Sequence, residues 1–134
     1  MMQIAILGIG SIGGVLLGAL SDTDAELVAV ARGESSRMLS QAGLVLHTPE
    51  GSIEVIPPER FVTVDSEAGP LPAGLRGSCA AALVCGKANS TPILAQIVEE
   101  LLSEDGVAAS LQNGMGHAEI LANRLGKELS LIHI

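Results

Sequence analysis

The feature that most constrains the fold is an apolar segment near the start of the chain, residues 4–20, which holds five glycines and no charged side chain. Its opening part, Gln3 to Leu7, is short, apolar and β-branched, which is typical of a buried parallel strand. Gly8 to Ser11 then predicts a turn, and Ile12 to Leu20 predicts a helix whose glycines let it lie close to a sheet. A strand joined so tightly to a helix favours a sheet with helices packed on it.

The same segment could instead be a membrane-spanning helix, because Gly10, Gly14 and Gly18 have the small-residue spacing at which such helices pack. A signal peptide is another alternative. However, the segment is at the lower limit of spanning length. No Lys or Arg precedes it, as a signal peptide requires, and its glycines weaken a continuous helix. We therefore favour the strand–turn–helix interpretation and expect no membrane association.

Composition argues against several other classes of function. The 134 residues suit a single domain. Seven Lys and Arg against fifteen Asp and Glu give a net charge of −8. This charge argues against nucleic acid as a partner, because binding it requires cations that replace condensed counterions. Phe61 is the only aromatic residue, so a platform for stacking bases is lacking as well.

The cysteines and histidines predict neither a disulfide nor a metal site. Cys79 and Cys85 are the only cysteines, and on one strand they would lie roughly 20 Å apart, beyond disulfide reach. Buried free thiols are typical of the reducing cytoplasm, which is the compartment we expect. The three histidines are scattered along the sequence and show no ligand spacing.

Strand-like and helix-like segments alternate along the rest of the chain. The predicted strands are Glu26 to Ala31, Leu44 to His47, Ile53 to Ile56, Phe61 to Val64, Cys79 to Cys85 and Val107 to Leu111, with 53–56 and 61–64 antiparallel. The predicted helices run from a cap at Ser35 or Ser36 to Gln41, from Ser90-Thr91-Pro92 to a stop at Gly106, and from about His117 to Leu125. This alternation predicts an α/β fold, a Rossmann-like doubly wound and mostly parallel sheet with helices on both faces.

The glycine turn also predicts a ligand. Gly8, Gly10 and Gly13 form a GxGxxG pattern between a predicted strand and helix, within a βαβ unit. Gly8 permits the tight turn, Gly10 lets the backbone approach a pyrophosphate, and Gly13 permits close helix–strand packing. The first helical residues, Ser11 and Ile12, would present free N–H groups to the anion. A glycine turn without a ligand is the alternative, and in this context we favour a dinucleotide site.

The end of the second predicted strand indicates which dinucleotide is bound. An NAD site would place Asp or Glu there to accept a hydrogen bond from the ribose 2′-hydroxyl. This chain has Arg32, whose guanidinium suits a 2′-phosphate. A solvated arginine at a strand end is the alternative. We therefore predict NADP(H) as the cofactor.

Two polar residues follow later predicted strands. Lys87 comes just after Cys85 and Gly86, where it could attract a carboxylate, hold the cofactor ribose, or simply be exposed. Asn113 follows the next strand, and its amide could contact a substrate or the nicotinamide ribose, or only shape the turn. Spacing leaves both choices open. We interpret His117 as a helix-start residue and not as a base.

Together these segments resemble the N-terminal NADPH-binding domain of the ketopantoate reductases (2-dehydropantoate 2-reductases). The resemblance covers about residues 2–126 and rests on GIGSIGG at 8–14, VAVARGE at 28–34, ALVCGKANST at 82–91 and SLQNGMGHAEIL at 110–121. The GxGxxG pattern is shared by many dehydrogenases. The strand-end lysine and the LQNGMG block are therefore the discriminating parts.

The resemblance implies NADPH-dependent reduction of 2-dehydropantoate to pantoate, in pantothenate biosynthesis. It implies cofactor contacts from Gly8, Gly10, Gly13 and Arg32, and places Lys87 and Asn113 near the nicotinamide and the substrate. A small 2-keto acid is then the expected partner, and the full-length enzyme could be a homodimer. Alternatives are a non-catalytic NADP(H)-binding or sensing module, or a related dehydrogenase that acts on another 2-keto acid.

The sequence departs from the family pattern in two ways. Gly86 stands where the family's VAVKA-like strand has a larger residue, which could loosen the edge beside Lys87. The family's enzymes are also longer, with a C-terminal helical domain that supplies the catalytic lysine, so we expect no catalytic residue in this chain. We interpret residues 1–128 as the NADP-binding domain. Residues 129–134 resemble a translated transposon-end adapter, which makes them a non-native tail in our interpretation, with a natural tail or strand as the alternative.

Overall fold

A computed structural model describes residues 2–86, 91–111 and 130–133. The helices are α1 (Ser11–Leu20), α2 (Gly33–Ala42) and α3 (Thr91–Leu101), with short 3₁₀ turns at Pro58–Arg60 and Ala73–Leu75. The strands are β1 (Gln3–Leu7), β2 (Glu26–Ala31), β3 (Leu44–His47), β4 (Ile53–Ile56), β5 (Phe61–Asp65), β6 (Cys79–Val84), β7 (Leu102–Ser110) and β8 (Ser130–His133).

Six of the strands form one sheet in the order β5-β2-β1-β6-β7-β8, in which every neighbouring pair is parallel. The two remaining strands, β3 and β4, form a separate antiparallel hairpin. Strands β1, β2 and β6 are mostly apolar, and apart from the exposed Glu26 their residues are buried or half-buried, as expected of central parallel strands. The predicted α/β fold with a mostly parallel sheet is therefore confirmed.

The sheet buries a core on each of its faces. On one face Ile6 and Ala29 pack with Leu17 of α1 and Leu39 of α2. On the opposite face Leu7, Val28 and Val30 pack with α3 through Leu94, Val98 and Leu101. Alternate residues of β1 and β2 thus point to opposite cores, which follows from the two-residue period of a strand. Helices cover both faces, as predicted.

Two glycines of α1, Gly14 and Gly18, allow the β3–β4 hairpin to pack closely on this helix. A Cβ on Gly14 would lie 3.8 Å from Leu44 Cδ1, and one on Gly18 would overlap the side chain of Leu46. The strand β3 therefore packs against the glycine stripe of this helix. Among the described residues no helix is long and apolar enough to cross a membrane.

The prediction that 61–64 pairs in an antiparallel manner is wrong. Strand β5 pairs in parallel with β2, with Phe61 opposite Leu27. The reason lies in the preceding 3₁₀ turn, where the Arg60 guanidinium donates to the carbonyl oxygens of Ser21 (3.1 Å) and Thr23 (2.7 Å) just after α1. These bonds fix the start of β5 beside the start of β2, so both strands run in the same direction.

The predicted end of the third helix at Gly106 is also wrong. The helix ends at Leu101, and β7 begins at once with Leu102, which pairs with Cys79. Two residues along β6 the partner is already Val107, so residues 103–106 bulge out of the ladder. Glu104 and Asp105, which fall within the predicted helix, lie on this exposed bulge instead. Sheet pairing at Leu102 overrides the helical periodicity of the sequence.

The second helix begins earlier than its serines predicted. Its N-cap is Arg32, with no side-chain cap, and Ser36 is buried at 7% exposure and not at the helix start. The predicted helix from His117 to Leu125 lies outside the described residues. Residues 130–133 form β8 beside β7, and our interpretation of 129–134 as a non-native tail stays a prediction.

Candidate nucleotide-binding site

The site is built on the backbone turn that follows β1. The Gly8 amide donates to the Val30 carbonyl (2.9 Å), and the Cys85 amide donates to the Leu7 carbonyl (2.7 Å), so the turn is tied to β2 on one side and β6 on the other. Gly8 has φ +91°, and a Cβ there would lie 2.5 Å from Gly86 Cα. Only glycine fits at this position, because the conformation and the contact both exclude a side chain.

Gly13 is tightly packed, whereas Gly10 faces open space. A Cβ on Gly13 would overlap the carbonyl oxygen of Gly8, so the first turn of α1 packs directly on the glycine turn. Around Gly10 no atom lies within 4 Å of an added Cβ. Gly10 is also the N-cap of α1 and caps it with no side chain, and the first turn contains no acidic residue. The helix N-terminus thus presents N–H donors beside open space, an arrangement that suits a phosphate group.

A cleft of about 280 Å³ opens at the carboxyl ends of the parallel strands. Its walls are Gly8–Gly10, Val30–Arg32, Ser35, Ser66–Glu67, Cys85–Gly86 and Ile93–Leu94. These residues follow or end β1, β2, β5 and β6 or begin α3. Ligands of open α/β sheets bind at this edge, where the connections from neighbouring strands diverge to opposite faces.

Among the described residues that line the cleft, Arg32 supplies the positive charge. It follows β2 directly and lies exposed at the start of α2. The neighbouring acid Glu34 forms its ion pair with Arg37. No carboxylate lies within ion-pair distance of Arg32 in the part of the chain that the structure describes. Its guanidinium is therefore open to an anionic ligand.

Cys85 lines the cleft between the glycine turn and α3. Burial raises the pKa of its thiol to about 11, and its Cβ lies 3.6 Å from the position of a Cβ on Gly13. Burial also raises the pKa of Cys79, more than a hydrogen bond with Ser78 lowers it. Both cysteines are free. Their thiols are thus neutral and unsuited to nucleophilic chemistry near pH 7.

The structure brings together some of the residues predicted for the site. Gly8, Gly10 and Arg32 line one cleft. Gly13 packs beneath the turn, and Ser11 and Ile12 begin α1 without forming part of the cleft wall. Lys87 and Asn113 lie outside the described residues, so their placement stays a prediction. The described residues contain no group of three or more His, Cys, Asp and Glu placed to hold a metal ion.

Sequence reasoning missed three polar residues of the cleft, Ser35, Ser66 and Glu67. The last two follow β5, which we predicted to be antiparallel. The proline-containing turn before β5 was the available signal, because Pro57 and Pro58 interrupt a simple hairpin.

The sequence model of the family described as ketopantoate reductase PanE/ApbA matches residues 4–134. This chain belongs to that family. Its members are oxidoreductases, and the expected resemblance is confirmed.

Individual relatives agree with the family assignment. YkpB of Bacillus subtilis (strain 168), described as an uncharacterized oxidoreductase, is 24% identical over 127 residues, which are 95% of this chain and 38% of that protein. The crystal structure of a PanE/ApbA family ketopantoate reductase from Ralstonia eutropha JMP134 has a TM-score of 0.78 and 25% identity, over 98% of this chain and 40% of that one.

A D-mandelate dehydrogenase, solved with NADH and anilino(oxo)acetate, shares the fold. Its TM-score is 0.75 at 19% identity, over 92% of this chain and 37% of that chain. The chain thus spans about two fifths of the length of these relatives.

Substitution of Gly13 and of Gly10 by alanine tests the geometry of the glycine turn. Gly13→Ala should lower the free energy of unfolding by about 1–3 kcal/mol, because its Cβ meets backbone that cannot move independently. Gly10→Ala should change it by less than about 1 kcal/mol, since the added Cβ enters open space. Urea unfolding followed by far-ultraviolet circular dichroism measures both, as the chain lacks Trp and Tyr. Equal stability of the two variants would contradict the packing of α1 on the turn.

Alkylation tests the environment of Cys85. Iodoacetamide should modify its thiol about a hundredfold more slowly at pH 8 than a thiol of pKa 9.0, because the thiolate fraction is that much smaller. The rate should keep rising until about pH 11 in the folded protein. Peptide mass spectrometry gives the site-specific rate, and protein in denaturant is the control. A native rate that levels off near pH 9 would show that burial does not shift this pKa.

Proposed function

We propose that this chain is the cofactor-binding half of an enzyme that reduces 2-dehydropantoate to pantoate with NADPH, in cytoplasmic pantothenate biosynthesis. Membership of the ketopantoate reductase family supports the reaction class. Because the chain spans about two fifths of the length of its relatives, the reduction itself is proposed for a longer enzyme. This chain's part is to bind the dinucleotide and orient its nicotinamide.

The pyrophosphate of the cofactor would lie on the glycine turn. The absence of a side chain at Gly10 leaves room for it, and the first N–H groups of α1 supply donors and positive potential. The fixed position of Gly8 against Gly86 holds these donors in place before the ligand arrives. Such preorganisation lowers the ordering cost of binding.

The observation that carries the choice of NADPH is the presence of Arg32 in the same cleft as this turn. Its guanidinium can form two parallel charge-assisted hydrogen bonds with a 2′-phosphate. Ser35, in the first turn of α2, also lines the cleft and can donate its hydroxyl hydrogen. The N–H groups at the start of α2 have no side-chain cap, so they too favour an anion there.

The nicotinamide end of the cofactor would lie beyond Gly86, toward β6 and β7. When bound, the nicotinamide ring supplies the hydride. Lys87 is the next residue in the chain after Gly86, and we propose that it attracts the carboxylate of the 2-keto acid or holds the nicotinamide ribose. We propose the same region for Asn113, whose amide can both donate and accept. The proton donor to the substrate is assigned to no residue of this chain.

Arg32→Ala separates NADPH binding from NADH binding. Loss of the guanidinium should raise the dissociation constant of NADPH by about 10- to 100-fold, because charge-assisted hydrogen bonds contribute roughly 1.5–3 kcal/mol. NADH lacks the 2′-phosphate, so its affinity should change by less than about threefold. Fluorescence of the reduced nicotinamide gives both dissociation constants without interference, since the chain lacks Trp and Tyr.

Arg37→Ala is the matched control for this experiment. Arg37 lies on the same helix but is paired with Glu34 and is absent from the cleft wall. The Arg37→Ala substitution should therefore leave the ratio of NADPH to NADH affinity unchanged. Equal losses of NADPH and NADH binding in Arg32→Ala would show that Arg32 does not contact the 2′-phosphate.

A further inference from the structure

The part of the cleft between β2 and α3 has apolar walls. Val30 of β2 and Leu94 of α3 pack in one core cluster, and both line the cleft together with Ala31 and the half-exposed Ile93. Under the proposed function, on which this inference rests, the pyrophosphate lies at Gly10 and the 2′-phosphate at Arg32. The purine of the cofactor then lies against these apolar walls, because the ribose that carries the 2′-phosphate also carries the base.

A carboxylate stands at the edge of this part of the cleft. The Ser66 amide donates to the Ala31 carbonyl (2.8 Å), which ties the end of β5 to the residue just before Arg32. The next residue, Glu67, is exposed and lines the cleft. Its own amide donates to Asp65 Oδ1 (2.9 Å). In the described part of the chain, no ion pair within 4.0 Å joins Glu67 to Arg32.

The chemistry of a carboxylate limits what Glu67 can recognise there. An ionised carboxylate only accepts hydrogen bonds. At this end of the dinucleotide the 2′-phosphate also has only acceptors, whereas the 6-amino group of adenine and the 3′-hydroxyl of the ribose are donors. A 6-oxopurine presents at the same position an oxygen that a carboxylate repels, and its donor is moved to N1. Only the amino group belongs to the base, so it is the partner through which a carboxylate beside the apolar walls can recognise the purine.

We propose that Glu67 accepts a hydrogen bond from the 6-amino group of the bound adenine, and that the cleft thereby selects adenine dinucleotides over their 6-oxopurine analogues. Ser66 acts with it by fixing the backbone of this segment to β2. Glu67 is in this account a specificity-determining residue for the base, just as Arg32 is for the 2′-phosphate.

The test compares NADPH with reduced nicotinamide hypoxanthine dinucleotide phosphate, which carries oxygen in place of the 6-amino group and a hydrogen on the neighbouring N1. Titration of the 134-residue chain, followed by nicotinamide fluorescence, gives the two dissociation constants and their ratio. We expect NADPH to bind about tenfold more tightly or better, the gain typical of a hydrogen bond to a charged group. Glu67→Gln should reduce this ratio to about one, since a carboxamide can face either purine.

Glu50→Gln is the control for charge. Glu50 is exposed in the turn between β3 and β4 and is not part of the cleft wall, so its loss should leave the ratio as in the wild type. The ratio is the decisive quantity because removal of a negative charge strengthens the binding of both phosphorylated ligands alike.

The outcomes separate this inference from the function on which it rests. Tight binding of both dinucleotides with a ratio near one in the wild type would overturn the role of Glu67 and leave the NADPH site standing. A wild-type preference that persists in Glu67→Gln would also overturn it. Tighter binding of both ligands by Glu67→Gln at an unchanged ratio would overturn it as well, because it would mean that Glu67 acts on the phosphate. Failure of the wild type to bind either dinucleotide would overturn both proposals.

Discussion

The site depends on one place where three backbone segments meet without side chains between them. Gly8 lies against Gly86 at the end of β6, and Gly13 of α1 lies against the carbonyl of Gly8. The close approach lets β1 turn directly into α1 while its ladder to β2 and β6 continues. Because nothing larger than hydrogen fits at these points, the N-terminus of α1 is held at the carboxyl edge of the sheet. The cleft opens here because the connections that follow β1 and β6 lead to helices on opposite faces of the sheet.

Attraction of an anion to this edge of the sheet depends more on the charges near the cleft than on the net charge of −8. The start of α1 contains no acidic residue, and the acid in the first turn of α2, Glu34, is paired with Arg37. Arg32 is thus left open toward the cleft, although acids outnumber bases about two to one in the whole chain. In the proposed complex the phosphates would lie beside helix N-termini and the Arg32 guanidinium, whose fields act within a few ångströms, while the Glu67 carboxylate lines another part of the same cleft.

Local sequence patterns were sufficient for the first strands and for the glycine turn. The bounds of β1, β2, β3 and β4 were predicted correctly, because each is a short apolar run between clear turn signals. The direction of β5 was predicted wrongly, because it depends on hydrogen bonds from Arg60 to carbonyl oxygens that lie 37 and 39 residues away in the sequence. That error also hid Ser66 and Glu67, which reach the cleft only because β5 lies beside β2. The boundary between α3 and β7 was missed for the same kind of reason, as sheet pairing at Leu102 decides it.

The most direct test of the account is phosphorus nuclear magnetic resonance of NADP⁺ bound to this chain, recorded as a function of pH. The free 2′-phosphate loses its second proton with a pKa of about 6. The account predicts that binding lowers this pKa, because the guanidinium of Arg32 favours the dianion, and that the pyrophosphate resonances shift in the same complex. A bound 2′-phosphate that titrates as it does in free NADP⁺ would contradict the account.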